Sequence, residues 1–131
     1  MITKIIRQSV TFKSTPHELY EALMDAKKHA KFTGGDASIS RKVGGKFKVY
    51  DGYAEGTNLE LITDEKIVQS WRGSDWLEGV YSRATFSMKT VAGGTRLLFT
   101  QSGVPEEYYE DVKQGWIDYY WQPMKEMLEK S

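Results

Sequence analysis

The stretch Val112-Lys113-Gln114-Gly115-Trp116-Ile117-Asp118-Tyr119-Tyr120-Trp121-Gln122-Pro123-Met124 decides the fold. Val112, Trp116, Tyr119 or Tyr120, Met124, and then Met127 or Leu128 return at helical spacing. Such a stripe belongs to a helix with one buried face. Pro105 opens this helix. Glu106, Glu107, Glu110 and Asp111 fill its first turns, where the helix dipole favours negative charge, so these carboxylate pairs read as helix starts rather than as acid–base machinery. Gly115 and Pro123 interrupt the interior, and Pro123, which has no N–H to donate, is expected to kink the rod.

Upstream of the rod the period changes to two. From Ala37 to Ser102 the spacing predicts strands near 37–41, 45–51, 53–63, 66–73, 79–90 and 94–102. Val43-Gly44-Gly45, Asp51-Gly52, Thr63-Asp64-Glu65, Gly73-Ser74-Asp75 and Ala92-Gly93-Gly94 separate them, and Gly-Gly and Asp-Gly tolerate the positive φ of tight hairpins. Residues 2–13 read as a first strand, with Ile6, Val10 and Phe12 on one face. Thr15-Pro16-His17-Glu18 then starts a helix. Thr15 caps it, Pro16 takes the first helical position and Glu18 completes a capping box. It runs to about Met24. Asp25 caps a second helix, Ala26 to Phe32, which Gly34-Gly35 stops.

The order is strand, two short helices, a meander, and a long aromatic helix. A curved antiparallel sheet of about six to seven strands wrapped around the C-terminal helix, an α+β fold, buries both apolar faces at once. Residues 1–131 read as one domain of ordinary size. Sheet and helix in that arrangement commonly leave room for a small-molecule pocket.

Composition narrows the function. The chain has no Cys, so thiolate chemistry, zinc ribbons and iron–sulfur clusters are excluded. Its formal charge is zero, which is no footprint for nucleic acid. No apolar run approaches the ~18 residues of a membrane span, and no signal-peptide core follows Lys4 and Arg7, so a soluble cytoplasmic protein is expected. Charge is nonetheless uneven. Residues 1–48 hold 10 Lys/Arg and 4 Asp/Glu, the remainder 8 and 14. Either the halves interleave and cancel, or the asymmetry steers a charged partner.

A catalytic constellation is hard to assemble. His17 falls in a helix first turn and His29 among Lys27, Lys28 and Lys31; both read as surface residues outside the expected cavity. No metal is expected from two isolated histidines, and Gly44-Gly45-Lys46 is a turn rather than a phosphate loop. The positive candidates are aromatic. Phe47, Trp71, Phe86, Phe99, Trp116 and Tyr120 point inward, where they either fill a core, as regular spacing favours, or line a cavity for an apolar ligand. Trp76 lies in a turn, placed either to meet a partner or ligand or to fold back on the sheet. Lys27, Lys28, Lys31, Arg41 and Lys42 form a candidate basic face, solvating or partner-binding.

A set of ordered stretches carries a family resemblance. They are Thr15-Pro16-His17-Glu18-Leu19-Tyr20, Phe32-Thr33, Gly44-Gly45-Lys46-Phe47 and Asp51-Gly52, then Glu65-Lys66-Ile67-Val68 running into Trp71-Arg72, and Trp76 before Glu78-Gly79. Gly103-Val104-Pro105, Gln114-Gly115-Trp116 and Tyr119-Tyr120 complete the set. In this order and spacing, from about residue 4 to 128, the chain resembles the C-terminal domain of the activators of the heat-shock-protein-ninety ATPase, within the START-like (SRPBCC, helix-grip, birch-pollen-allergen-like) superfamily. The resemblance implies a helix-grip fold, no enzymatic activity, no cofactor, and a co-chaperone role in the stress response. In that role the domain helps the chaperone's nucleotide domains dimerise and so stimulates ATP hydrolysis. The eukaryotic co-chaperones also carry an N-terminal domain outside the resemblance. The superfamily further implies two alternatives: a carrier or sensor of a small apolar molecule held between sheet and helix, and, ranked last, a small enzyme such as a cyclase or hydrolase.

Overall fold

In a computed structural model, which describes residues 1–129, the meander and the rod meet as their patterns require. Seven strands form one antiparallel sheet: β1 (Thr3–Phe12), β2 (Ser38–Ile39), β3 (Lys46–Val49), β4 (Ala54–Ile62), β5 (Lys66–Gly73), β6 (Ser82–Val91) and β7 (Gly94–Pro105). Their spatial order is β1-β7-β6-β5-β4-β3-β2. Every neighbour but β1 is also a neighbour in sequence, and β1 closes beside β7.

Two helices follow β1, α1 (Pro16–Met24) and α2 (Ala26–Thr33). Their boundaries follow from local chemistry. Thr15 Oγ1 accepts from Glu18 N at 3.1 Å, and the Glu18 carboxylate accepts from Thr15 N at 2.9 Å, so both halves of the capping box are made. Asp25 ends α1 and caps α2, accepting from Lys27 N and Lys28 N. Gly34 ends α2 in the left-handed conformation.

The sheet's inner face and the rod share the core. Phe86 and Phe99 are directly paired across β6 and β7. Trp116 packs on both, with ring centroids 5.8 and 4.5 Å away. The rod comprises a short 3₁₀ turn (Glu106–Tyr108), α3 (Tyr109–Trp116), a π turn (Ile117–Trp121) and α4 (Gln122–Glu129). The rod, expected to kink at Pro123, widens in the turn just before it. Gln122 N–H bonds back to Ile117 O, five residues away. A π turn re-phases the ladder just before the residue that cannot donate.

Three expected strands are trimmed. The segments at 37–41 and 45–51 shrink to β2 and β3 because Asn58 draws their connection onto β4. Its Nδ2 donates to Ser40 O (2.7 Å) and Lys42 O (3.1 Å), and its backbone exchanges bonds with Gly44 and Gly45. Residues 79–81 are peeled from β6 because Arg72 donates to Trp76 O (2.6 Å) and Leu77 O (3.3 Å), holding the preceding loop away from the ladder. At the other end β7 outruns its expected limit and pairs Pro105 with Thr3, so Pro105 ends a strand and the helical turns begin at Glu106.

Candidate functional site

The inward aromatic set comes together with one exception, and it fills the space it surrounds. Phe47, Trp71, Phe86, Trp116 and Tyr120 bound an interior gap with Leu23, His29, Ile39, Val49, Ile67 and Gln69. The gap's volume is about 10 Å³, barely enough for one water. Phe99 stands behind this gap, packed on Phe86, Trp116 and Trp121. This gap therefore has no room for an organic ligand.

Room exists one layer out. A groove of about 560 Å³ opens between α3 with its π turn and the β3–β4 connection. Its lining includes Tyr50, Tyr53, Trp71, Trp116, Tyr119 and Tyr120. Each of these rings contacts the next, giving a continuous collar. Tyr119 meets Tyr50 at 5.1 Å between centroids, Tyr50 meets Tyr53 at 6.4 Å and Tyr53 meets Trp71 at 6.3 Å. Trp71 meets Trp116 at 5.6 Å, and Trp116 meets Tyr120 at 4.5 Å. Tyr50 reaches the collar through an unusual backbone. Tyr50 and Asp51 both adopt left-handed φ, 54° and 56°, a conformation a bulky residue resists. Asp36 holds the turn, donating its N–H to Asp51 Oδ1 (2.7 Å) and accepting from Asp51 N at 3.1 Å. Gly35 admits it, since a Cβ there would lie 3.0 Å from the Tyr50 ring and 3.1 Å from its Cα.

His29 is not a surface residue. It is buried at the interior gap, and the reading that placed neither histidine near the cavity fails for it. Its neighbours Lys27, Lys28 and Lys31 lie on the exposed face of α2, while position 29 turns inward beside Phe32. Nδ1 lies 3.1 Å from Leu23 O, which can only accept, so Nδ1 carries the proton. Nε2, 2.9 Å from Tyr120 Oη, therefore accepts from the phenol. Burial lowers the His29 pKa to about 4, opposed by the bond to Leu23, so the ring is neutral at neutral pH. Burial likewise raises Tyr120, and raises Tyr53 to about 12 with help from the Asp75 carboxylate that its hydroxyl meets. These phenols stay protonated at neutral pH. His17 is exposed, paired to Asp64 at 3.0 Å.

The candidate partner residues separate. Lys27, Lys28, Lys31 and Lys42 are exposed, and none forms an ion pair among the described residues. Arg41 is bound to the Glu21 carboxylate. Trp76 takes the second of its two expected places. It folds back, nearly fully buried, against Trp71 (5.5 Å) and stacked on Tyr108 (5.8 Å), whose hydroxyl donates to Asp75 O at 2.8 Å. No helix is long and apolar enough to cross a membrane among the described residues.

Residues 13–129 match the model of the family described as "Activator of Hsp90 ATPase homolog 1-like protein". The chain belongs to this family. It is 33% identical over 116 residues to the activator of 90 kDa heat shock protein ATPase homolog of Dictyostelium discoideum, covering 87% of this chain and 30% of that protein. It is 32% identical over 116 residues to homolog 1 of Homo sapiens, covering 88% and 34%. The chain thus spans about a third of the length of these curated relatives. The crystal structure of an HSP90 activator from Plasmodium falciparum superposes with a TM-score of 0.86 at 28% identity, covering 98% and 97% of the two chains. The Aha1 dimer of Colwellia psychrerythraea shares the fold, with a TM-score of 0.82 at 21% identity and coverage of 98% and 97%. Helix-grip architecture and membership of this family therefore agree.

Other residues of this family member were missed by pattern reading. Gln101 is fully buried. It accepts from Trp116 Nε1 (2.7 Å) and donates to Ser82 Oγ (2.8 Å), which donates in turn to Trp71 O (2.7 Å). Gln8 accepts from Trp121 Nε1 (2.6 Å) and donates to Lys113 O (3.0 Å). These glutamines fasten the rod to the sheet. For Gln101 the signal was available, because strand alternation places it with Leu97 and Phe99 on the inner face. Nothing in the sequence marked Tyr50 and Tyr53 as a groove wall, since they are far from Tyr119 along the chain.

Proposed function

We propose that this chain is a non-enzymatic binding module that engages a heat-shock-protein-ninety-type chaperone and raises its ATP turnover. The observation that carries this reading is the match along residues 13–129 to a family whose cited relatives are named as activators of that ATPase. The geometry supports it in one respect. The exposed Lys27, Lys28 and Lys31 of α2, with Lys42, form no ion pair among the described residues and offer an acidic partner surface a basic contact. Arg41, tied to Glu21, contributes less to that face.

The test is to add the purified chain to the chaperone of the same organism and follow ATP hydrolysis. The expected result is a higher turnover that falls with salt. The triple change Lys27→Glu, Lys28→Glu, Lys31→Glu is expected to weaken binding about tenfold or more and to flatten the salt dependence. No change in turnover together with no binding at high micromolar concentration removes the reading.

A further inference from the structure

The groove is lined by rings and rimmed by carboxylates. Asp111 and Asp118 both line it, with Gly115 between them. Positions 111, 115 and 118 fall on one helical face. Gly115 leaves the space between the two acids open: a Cβ there would meet only Tyr119 Cδ2, at 3.8 Å. None of the lining residues is Lys or Arg. A helix dipole accounts for Asp111, which lies in the first turn of α3. It does not account for Asp118, which lies in the π turn in mid-rod and accepts from Gln114 Nε2 at 3.0 Å. Tyr50 and Tyr53 line the groove from the β3–β4 connection and Tyr119 from the rod, and aromatic faces attract cations through their quadrupole. The volume, about 560 Å³, is within the range of small-molecule sites.

We propose that the groove between α3 and the β3–β4 connection binds a small organic cation with an apolar body, the charged head lying between Asp111 and Asp118 and the body on the collar of Tyr50, Tyr53 and Tyr119. Charge complementarity selects this class. Asp111 and Asp118 are exposed on the groove's rim, so a cation gains their attraction where a neutral ligand gains only the ring contacts, and an anion is repelled. The site is separate from the lysines of α2, so it stands or falls independently of chaperone binding.

The probe is 2-phenylethylammonium, compared with the neutral 2-phenylethanol and the anion phenylacetate. Binding is read by quenching of Trp71 and Trp116 fluorescence and by tyrosine ring shifts in NMR. The cation is expected to bind about fivefold or more tighter than the alcohol, the phenylacetate not detectably, and added salt to weaken the cation alone. The double change Asp111→Asn, Asp118→Asn is expected to erase the preference for the cation. Gly115→Leu is expected to abolish binding of the cation and of the alcohol by filling the groove. Thermal unfolding of both variants checks that the fold is retained. Equal or tighter binding of the alcohol overturns the proposal in favour of an apolar groove. No shift with any probe up to about 10 mM, a ligand with less than about 3 kcal/mol of affinity, also overturns it.

Discussion

Two regions share Trp71, Trp116 and Tyr120 and differ in what lies beside them. On the inner side these rings meet Leu23, His29, Phe47 and Phe86, and about 10 Å³ is left empty. On the outer side they meet Tyr50, Tyr53 and Tyr119, and about 560 Å³ stands open. The same rings are core on one face and site wall on the other. The difference is steric. The inner neighbours come from α1, α2 and four strands, which converge from several directions. The outer wall is built from one helix and one strained turn, and Gly115 withholds the side chain that would close it.

The largest effect belongs on the inner side. Phe99→Ala is expected to cost about 3–5 kcal/mol by urea denaturation, because Phe86, Trp116 and Trp121 are held in place by other elements and cannot collapse into the hole. Tyr119→Ala, by contrast, should cost under about 1 kcal/mol, because Tyr119 is about half exposed (48%). Comparable losses for the two would erase the distinction between the regions.

Acid should sharpen the contrast. The His29 pKa lies near 4 in the fold against an ordinary 6.5, so folding favours the neutral ring. That stabilisation is complete above pH 6.5 and is lost as pH falls from 6.5 towards 4, up to about 3 kcal/mol. Unfolding free energy measured across this window should fall steeply in the native chain and more gently in His29→Gln. Identical slopes would mean that His29 is not the titrating group.

The smallest effect should have the opposite sign. Gly115→Ala is expected to stabilise by about 0.5–1 kcal/mol, since alanine is the better helix former and its methyl finds only the Tyr119 ring edge. A loss of stability in thermal unfolding would show the groove wall to be close-packed at this point.

Much of this molecule is readable residue by residue. The capping box at Thr15, the paired role of Asp25 and the stop at Gly34 follow from side chains within a few positions of the backbone they serve. The rod's stripe and the strand alternation follow for the same reason, since period and face are local properties. His29 was misread because its neighbours in sequence are lysines, while its burial depends on Phe32 and Tyr120 packing over it. Trp76 could not be placed for a like reason, its pocket being made by Trp71 and Tyr108.

What the chain's order of residues determined alone was the set of elements, their sequence and the family to which they belong. Only the tertiary structure decided that the interior is filled, that Gln8 and Gln101 fasten the rod, and that Tyr50 and Tyr119, 69 positions apart, face each other over a groove. Local pattern records which side of an element avoids water. It carries no measure of the volume left when three such sides are brought together, and that volume sets where a ligand can go.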